Sequence, residues 1–87
     1  MYLEIITPKK KIYKGEIKSI RLPGSKGSFM ILKSHAPIVS TLEKGEIRVV
    51  DEGNKVHTWK VKSGIIENKA DKIIVLLDLI WNPKSWS

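Results

Sequence analysis

The side chains that could do chemistry are few. Histidine occurs only at His35 and His57, and there is no cysteine. The lack of cysteine removes disulfides, thiolate zinc sites and a thiol nucleophile together. A zinc site asks for three or four ligands, and neither histidine has others at ligand spacing, so no metal is expected. Ser34 precedes His35. Neighbours on an extended strand point to opposite sides, and no acid stands near to orient the imidazole, so the pair does not read as nucleophile and base. Glu43 and Glu46 flank a Lys-Gly turn, where solvation is their ordinary role. The loop Gly24-Ser25-Lys26-Gly27-Ser28 could cradle an anion with its N–H groups and its lysine. A phosphate loop, however, needs glycine, four residues and then Gly-Lys-Ser or Gly-Lys-Thr leading into a helix. Here the loop joins two apolar runs, and a hairpin-like turn is the stronger reading. No catalytic, cofactor or metal site is assigned, and the chain is not expected to be an enzyme on its own.

The elements that would position these residues are short apolar stretches bounded by turn residues. Leu3 to Thr7 stops at Pro8, and Lys11 to Tyr13 stops at Gly15, read as a tight turn. Glu16 to Leu22 runs into Pro23-Gly24. Phe29 to Leu32, Ile38 to Leu42, Glu46 to Val50, Val56 to Lys62, Gly64 to Glu67 and Lys72 to Leu79 complete the set, with Asp51-Glu52-Gly53-Asn54 as the strongest turn cluster. Strands this closely spaced, rich in Ile and Val and punctuated by Gly and Pro, predict an all-β antiparallel sandwich of about ten short strands in two sheets. Trp59 and Val61 alternate with Lys60 and Lys62, as one buried and one wet face require. The spacing of Ile17, Ile20 and Leu22 slips by one residue, which predicts a β-bulge.

At 87 residues the chain is one domain. The sandwich is expected over residues 1–80, with 81–87 a short C-terminal tail in which Trp81 and Trp86 cover the sandwich end or meet a partner. The net charge of +7, from fourteen lysines and two arginines against nine acids, suggests an acidic partner, nucleic acid or an anionic surface. Lysines also guard strand edges against pairing with other chains, and that role takes the larger share. No apolar run approaches the length of a membrane span, and the N-terminus does not read as a secretion signal.

The ordered set Thr7-Pro8, Tyr13, Gly15, Pro23-Gly24, Gly27, Ile31-Leu32, His35-Ala36-Pro37, Gly45 and Gly64 resembles the N-terminal β-sandwich of the epsilon subunit of F-type ATP synthases. The resemblance runs from about Leu3 to about Leu77. It implies a non-catalytic rotor subunit of the central stalk, coupling proton-driven rotation of the membrane ring through the gamma subunit to ATP synthesis. It implies as partners the gamma subunit and the polar loops of the ring, without membrane insertion, at the cytoplasmic side of the bacterial plasma membrane. Ring contact is implied for Ser25, Lys26, Gly27, Ser28, His35, Ala36 and Pro37. Glycines and prolines there would hold a compact, stiff tip, which loses less entropy on docking.

Two departures from the pattern carry expectations. Relatives commonly have an acid and a small residue where this chain has Ser28 and Met30, so Lys26 is expected to supply the electrostatic part of the contact. Many relatives continue into a helical hairpin with a nucleotide-binding motif. Here the sequence closes on Asn82-Pro83 and Ser87, from which neither hairpin inhibition nor ATP binding is expected. The alternative function is a basic β-barrel module binding single-stranded nucleic acid, and a third is an interaction sandwich of another kind. The aromatics, scattered along the chain, speak against a base-stacking surface.

Overall fold

The computed structural model describes residues 1–32 and 37–80, with the side chains of 79 and 80 left aside. Seven strands are present among them: β1 (Tyr2–Ile6), β2 (Lys11–Leu22), β3 (Phe29–Leu32), β4 (Ile38–Leu42), β5 (Gly45–Asp51), β6 (Val56–Lys69) and β7 (Lys72–Ile80). Neighbours run β1-β7-β6-β5-β2-β3, and β2 pairs back onto β1, so the sheet closes on itself. β4 lies against the second half of β6. All pairings are antiparallel except β1 with β7.

The strand count falls below ten because two strands each serve twice. Lys11 to Tyr13 and Glu16 to Leu22 form one strand, β2, with Gly15 inside it rather than at a turn. Its first half pairs with β1 and its second half with β3 and β5. β6 joins the two runs expected separately between Val56 and Glu67, pairing first with β5 and then with β4 and β7. Each of these two strands thus runs from one half of the closed sheet into the other. A crossing strand must bend, and a bulge is the cheapest way to bend one. The register shifts lie where that demands: between Ile17 and Ser19 in β2, and around Ser63 in β6. The slip in the spacing of Ile17, Ile20 and Leu22 therefore marks a corner.

Alternation does the rest. In β2, Ile17, Ile20 and Leu22 are buried while Lys18 and Arg21 are exposed. In β6, Val61 is buried between exposed Lys60 and Lys62. Ile31, Ile20 and Val49 sit side by side across β3, β2 and β5, each fully removed from water. Leu3 and Ile5 of β1 likewise sit beside their register partners Ile73 and Val75 of the neighbouring strand β7, all four fully buried. Each such side chain contributes roughly 1.5 to 3 kcal/mol by burial.

β6 and β7 turn on the two-residue loop Ala70-Asp71, both with positive φ (51° and 62°), while Lys69 and Lys72 pair across it. A type I′ loop needs that left-handed geometry because its twist matches the strands. Alanine is a poor choice there, since its Cβ crowds the following carbonyl. Ala70→Gly is expected to stabilise the domain by about 0.5 to 1 kcal/mol, read as a higher thermal midpoint. An unchanged or lowered midpoint would show that the alanine is not strained.

Candidate partner-contact site

The loop between β2 and β3 is exposed from Ser25 to Ser28, while Pro23 and Gly24 at its root are buried. Its root is stitched to β4. Gly24 bridges to Leu42, the Ser25 N–H donates to the Thr41 carbonyl at 3.0 Å, and the Glu43 N–H donates to the Pro23 carbonyl at 2.8 Å. The hydroxyls of Ser25 and Thr41 meet at 2.8 Å. Inside the loop, the Gly27 N–H donates to the Gly24 carbonyl at 3.0 Å. Two glycines are needed for this shape. Gly27 has φ +123°, outside the range of ordinary side chains. At Gly24 a Cβ would lie 2.7 Å from the Phe29 ring and 2.8 Å from the Gly27 carbonyl, so any larger residue would push the loop open.

The loop and β4 enclose an open concavity of about 550 Å³, lined by hydroxyls (Ser25, Ser28, Ser40, Thr41), Lys26 and the apolar Phe29, Ile38 and Val39. Of the residues expected to contact the ring, Ser25, Lys26, Gly27 and Ser28 therefore sit together on one fixed, water-facing tip. Pro37 is exposed just before β4. His35 and Ala36 lie outside the described residues, as do Trp81 and Trp86.

At the opposite end of β5, sequence scatter proves a poor guide to space. Tyr13, His57 and Trp59 are brought into one ring cluster, with centroids 5.4 Å (Tyr13 to His57), 5.6 Å (Tyr13 to Trp59) and 6.1 Å (His57 to Trp59) apart. They are partly buried, with Tyr13 and Trp59 against the core, and so close the end of the sandwich rather than offer open faces to bases. Their inward positions in two alternating strands were the available signal; their convergence depends on the pairing of β5 with β6 and on the curl of β2.

His57 also holds the adjacent turn. Its Nε2 lies 2.8 Å from Asp51 Oδ2, while Asp51 Oδ1 accepts from the Gly53 and Lys55 N–H groups at 2.9 Å each. The hydrogen bond from His57, with those from Lys55 and Gly53, holds the Asp51 carboxyl below its ordinary value. A carboxyl depressed in the folded state stabilises it above the unfolded value and loses that contribution as pH falls toward the folded one, below about pH 4. His57→Gln is expected to raise the Asp51 value, followed by its carboxyl carbon shift in an NMR titration, and so to move acid unfolding to higher pH. No movement would mean that the turn N–H groups alone hold the carboxylate.

Among the described residues, no three of His, Asp and Glu converge as metal ligands. Residues 1–82 match the family model of the ATP synthase, Delta/Epsilon chain, beta-sandwich domain. The chain belongs to this family.

Within the Delta/Epsilon family, the ATP synthase epsilon chain of Leptospira interrogans is 42% identical over 76 residues, which cover 87% of this chain and 59% of that protein. The epsilon chain of Chlorobaculum tepidum is 36% identical over 76 residues, covering 87% of this chain and 86% of that one. This chain thus spans about three fifths of the Leptospira relative. Two solved assemblies share the fold: a chain of the Euglena gracilis mitochondrial ATP synthase OSCP/F1/c-ring structure (TM-score 0.85, 18% identity, 98% of this chain and 54% of that one) and a chain of the Tetrahymena thermophila central stalk and c-ring (TM-score 0.80, 15% identity, 98% and 68%). The sandwich architecture is that of the family.

Proposed function

We propose that this Delta/Epsilon-family chain is a non-catalytic rotor subunit in the central stalk of an F-type ATP synthase, coupling proton-driven rotation of the membrane ring through the gamma subunit to ATP synthesis. The observation that carries this reading is the family match over residues 1–82, realised as a closed sandwich with a stitched, exposed tip. In this role the chain works in a membrane-associated complex, peripheral and on the cytoplasmic side of the bacterial plasma membrane. Ser25, Lys26, Gly27, Ser28, His35, Ala36 and Pro37 meet the polar loops of the ring. A torque-bearing contact needs backbone that does not yield, and the bonds from the loop to Thr41 and Glu43 supply that. Gamma takes the outer face of β6, β7 and β1, where Ile65, Leu76 and Ile6 stand in one cross-strand row, with Ile65 and Leu76 exposed. An apolar row on a wet sheet face is a protein-docking feature.

The test is co-purification with gamma and the ring from membranes, using a tag on another subunit of the complex. Retention of the chain, and loss of proton-driven ATP synthesis when it is removed, are expected. A chain that binds a single-stranded oligonucleotide with steep salt dependence, and not the complex, would replace this reading with the nucleic-acid one. Lys26→Glu is expected to lower retention on the complex by about fivefold at low salt, with the gap closing as salt rises, because an exposed charge contact is small and screened. Equal, equally salt-tolerant retention would remove Lys26 from the contact.

A further inference from the structure

The chain has only two arginines among its sixteen cationic side chains, and the fold sets them directly opposite each other. Arg21 of β2 pairs with Arg48 of β5, both exposed, on the outer face of the sheet made by β3, β2, β5 and the first half of β6. Like charges directly opposite on neighbouring strands destabilise a sheet. Neither guanidinium has an ion pair or side-chain hydrogen bond among the described residues. The nearest acid on that face of β5, Glu46, stands opposite Lys60. Around the pair lie exposed apolar side chains: Met30 (43% exposed) beside Arg21, and Leu32 (53%) and Val56 (47%) one row along.

A lone lysine on a sheet face is explained by solvation or edge protection. Two unpaired arginines held side by side within an apolar surround are not, since arginine is the cation suited to forked, partly dehydrated contact with carboxylates. Arginine and methionine are also enriched at protein interfaces, from which lysine is depleted. We propose that this face is a docking surface for a protein segment carrying paired carboxylates, whose acids engage Arg21 and Arg48 and whose apolar side chains cover Met30, Leu32 and Val56. A free phosphate or a nucleic-acid backbone would leave the apolar surround uncovered. This surface is distinct from the tip loop and from the Ile65–Leu76 row, and it does not depend on the central-stalk reading.

The test places a photo-crosslinking phenylalanine derivative at Thr58, exposed and paired with Arg48, in the full chain within the cells that make it. Expected is a crosslink to one protein segment bearing two or more Asp or Glu residues, its yield falling about tenfold when Arg21 and Arg48 are both replaced by serine. A crosslink to lipid, to nucleic acid, to a second copy of this chain or to a segment without acids would overturn the proposal, as would none at all. The segment's composition judges the proposal, and co-purification with the rotary complex separately judges the central-stalk reading. Arg48→Glu gives a second measure, because it turns a like pair into an opposite one. It is expected to raise the thermal midpoint by roughly 2 to 6 °C while lowering the crosslink yield about tenfold. An unchanged yield in this folded variant would also overturn the proposal.

Discussion

Ile20→Ala is expected to destabilise the domain by about 3 kcal/mol, within the range for removing most of a fully enclosed aliphatic side chain. Ile20 has no exposed surface and is paired on both sides, with Ile31 of β3 and Val49 of β5, themselves fully buried. These neighbours belong to two strands pinned to β2 by hydrogen bonds and cannot collapse into the space, so the cavity cost adds to the lost transfer energy. For a chain of this length total stability is on the order of 4 to 13 kcal/mol, and one such change takes a large share. Urea unfolding should show a lower midpoint with an unchanged slope. A loss below about 1 kcal/mol would mean that this row packs loosely.

Gly64→Val is expected to cost at least as much, for the opposite reason. Gly64 sits in β6 at the corner where the register with β7 shifts, opposite Leu77. A Cβ there would fall 2.5 Å from the Leu76 carbonyl oxygen and 2.9 Å from a Leu77 methyl. The methyl can rotate away. The carbonyl belongs to the backbone of the paired strand, and moving it opens the longest ladder in the fold, so a loss of about 3 kcal/mol or more is expected. Gly64→Ala should show most of the effect, since the clash begins at Cβ. If both variants unfold within about 0.5 kcal/mol of the parent, the paired strands at this corner yield to a side chain at little cost.

Much of this molecule was legible in the order of its residues. Alternation along Trp59 to Lys62, the limits of β3 and β4, and the bulge implied by Ile17, Ile20 and Leu22 all follow from local rules: a two-residue side-chain period, and turn residues that cannot continue a strand. The glycines and prolines of the tip were also visible as a pattern, and their order carried the family. What the pattern could not show is that Gly15 lies within a strand, or that the run from Val56 to Lys62 continues into the one that starts at Gly64. Glycine is compatible with a turn and with a close approach alike, and only the neighbouring chain decides which.

The remaining features belong to the tertiary structure because they join residues far apart in sequence. Tyr13, His57 and Trp59 meet through the curl of a closed sheet. Ser25 is fixed by Thr41. Arg21 faces Arg48 only because β2 takes β5 as its neighbour, in one register out of several that alternation alone would allow; a shift of a single residue would send every side chain of the strand to the opposite face. Sequence by itself determined which residues turn inward and where the chain can bend. The pairing of strands decided which outward residues stand together, since register is settled by the whole closed core and not by any one strand.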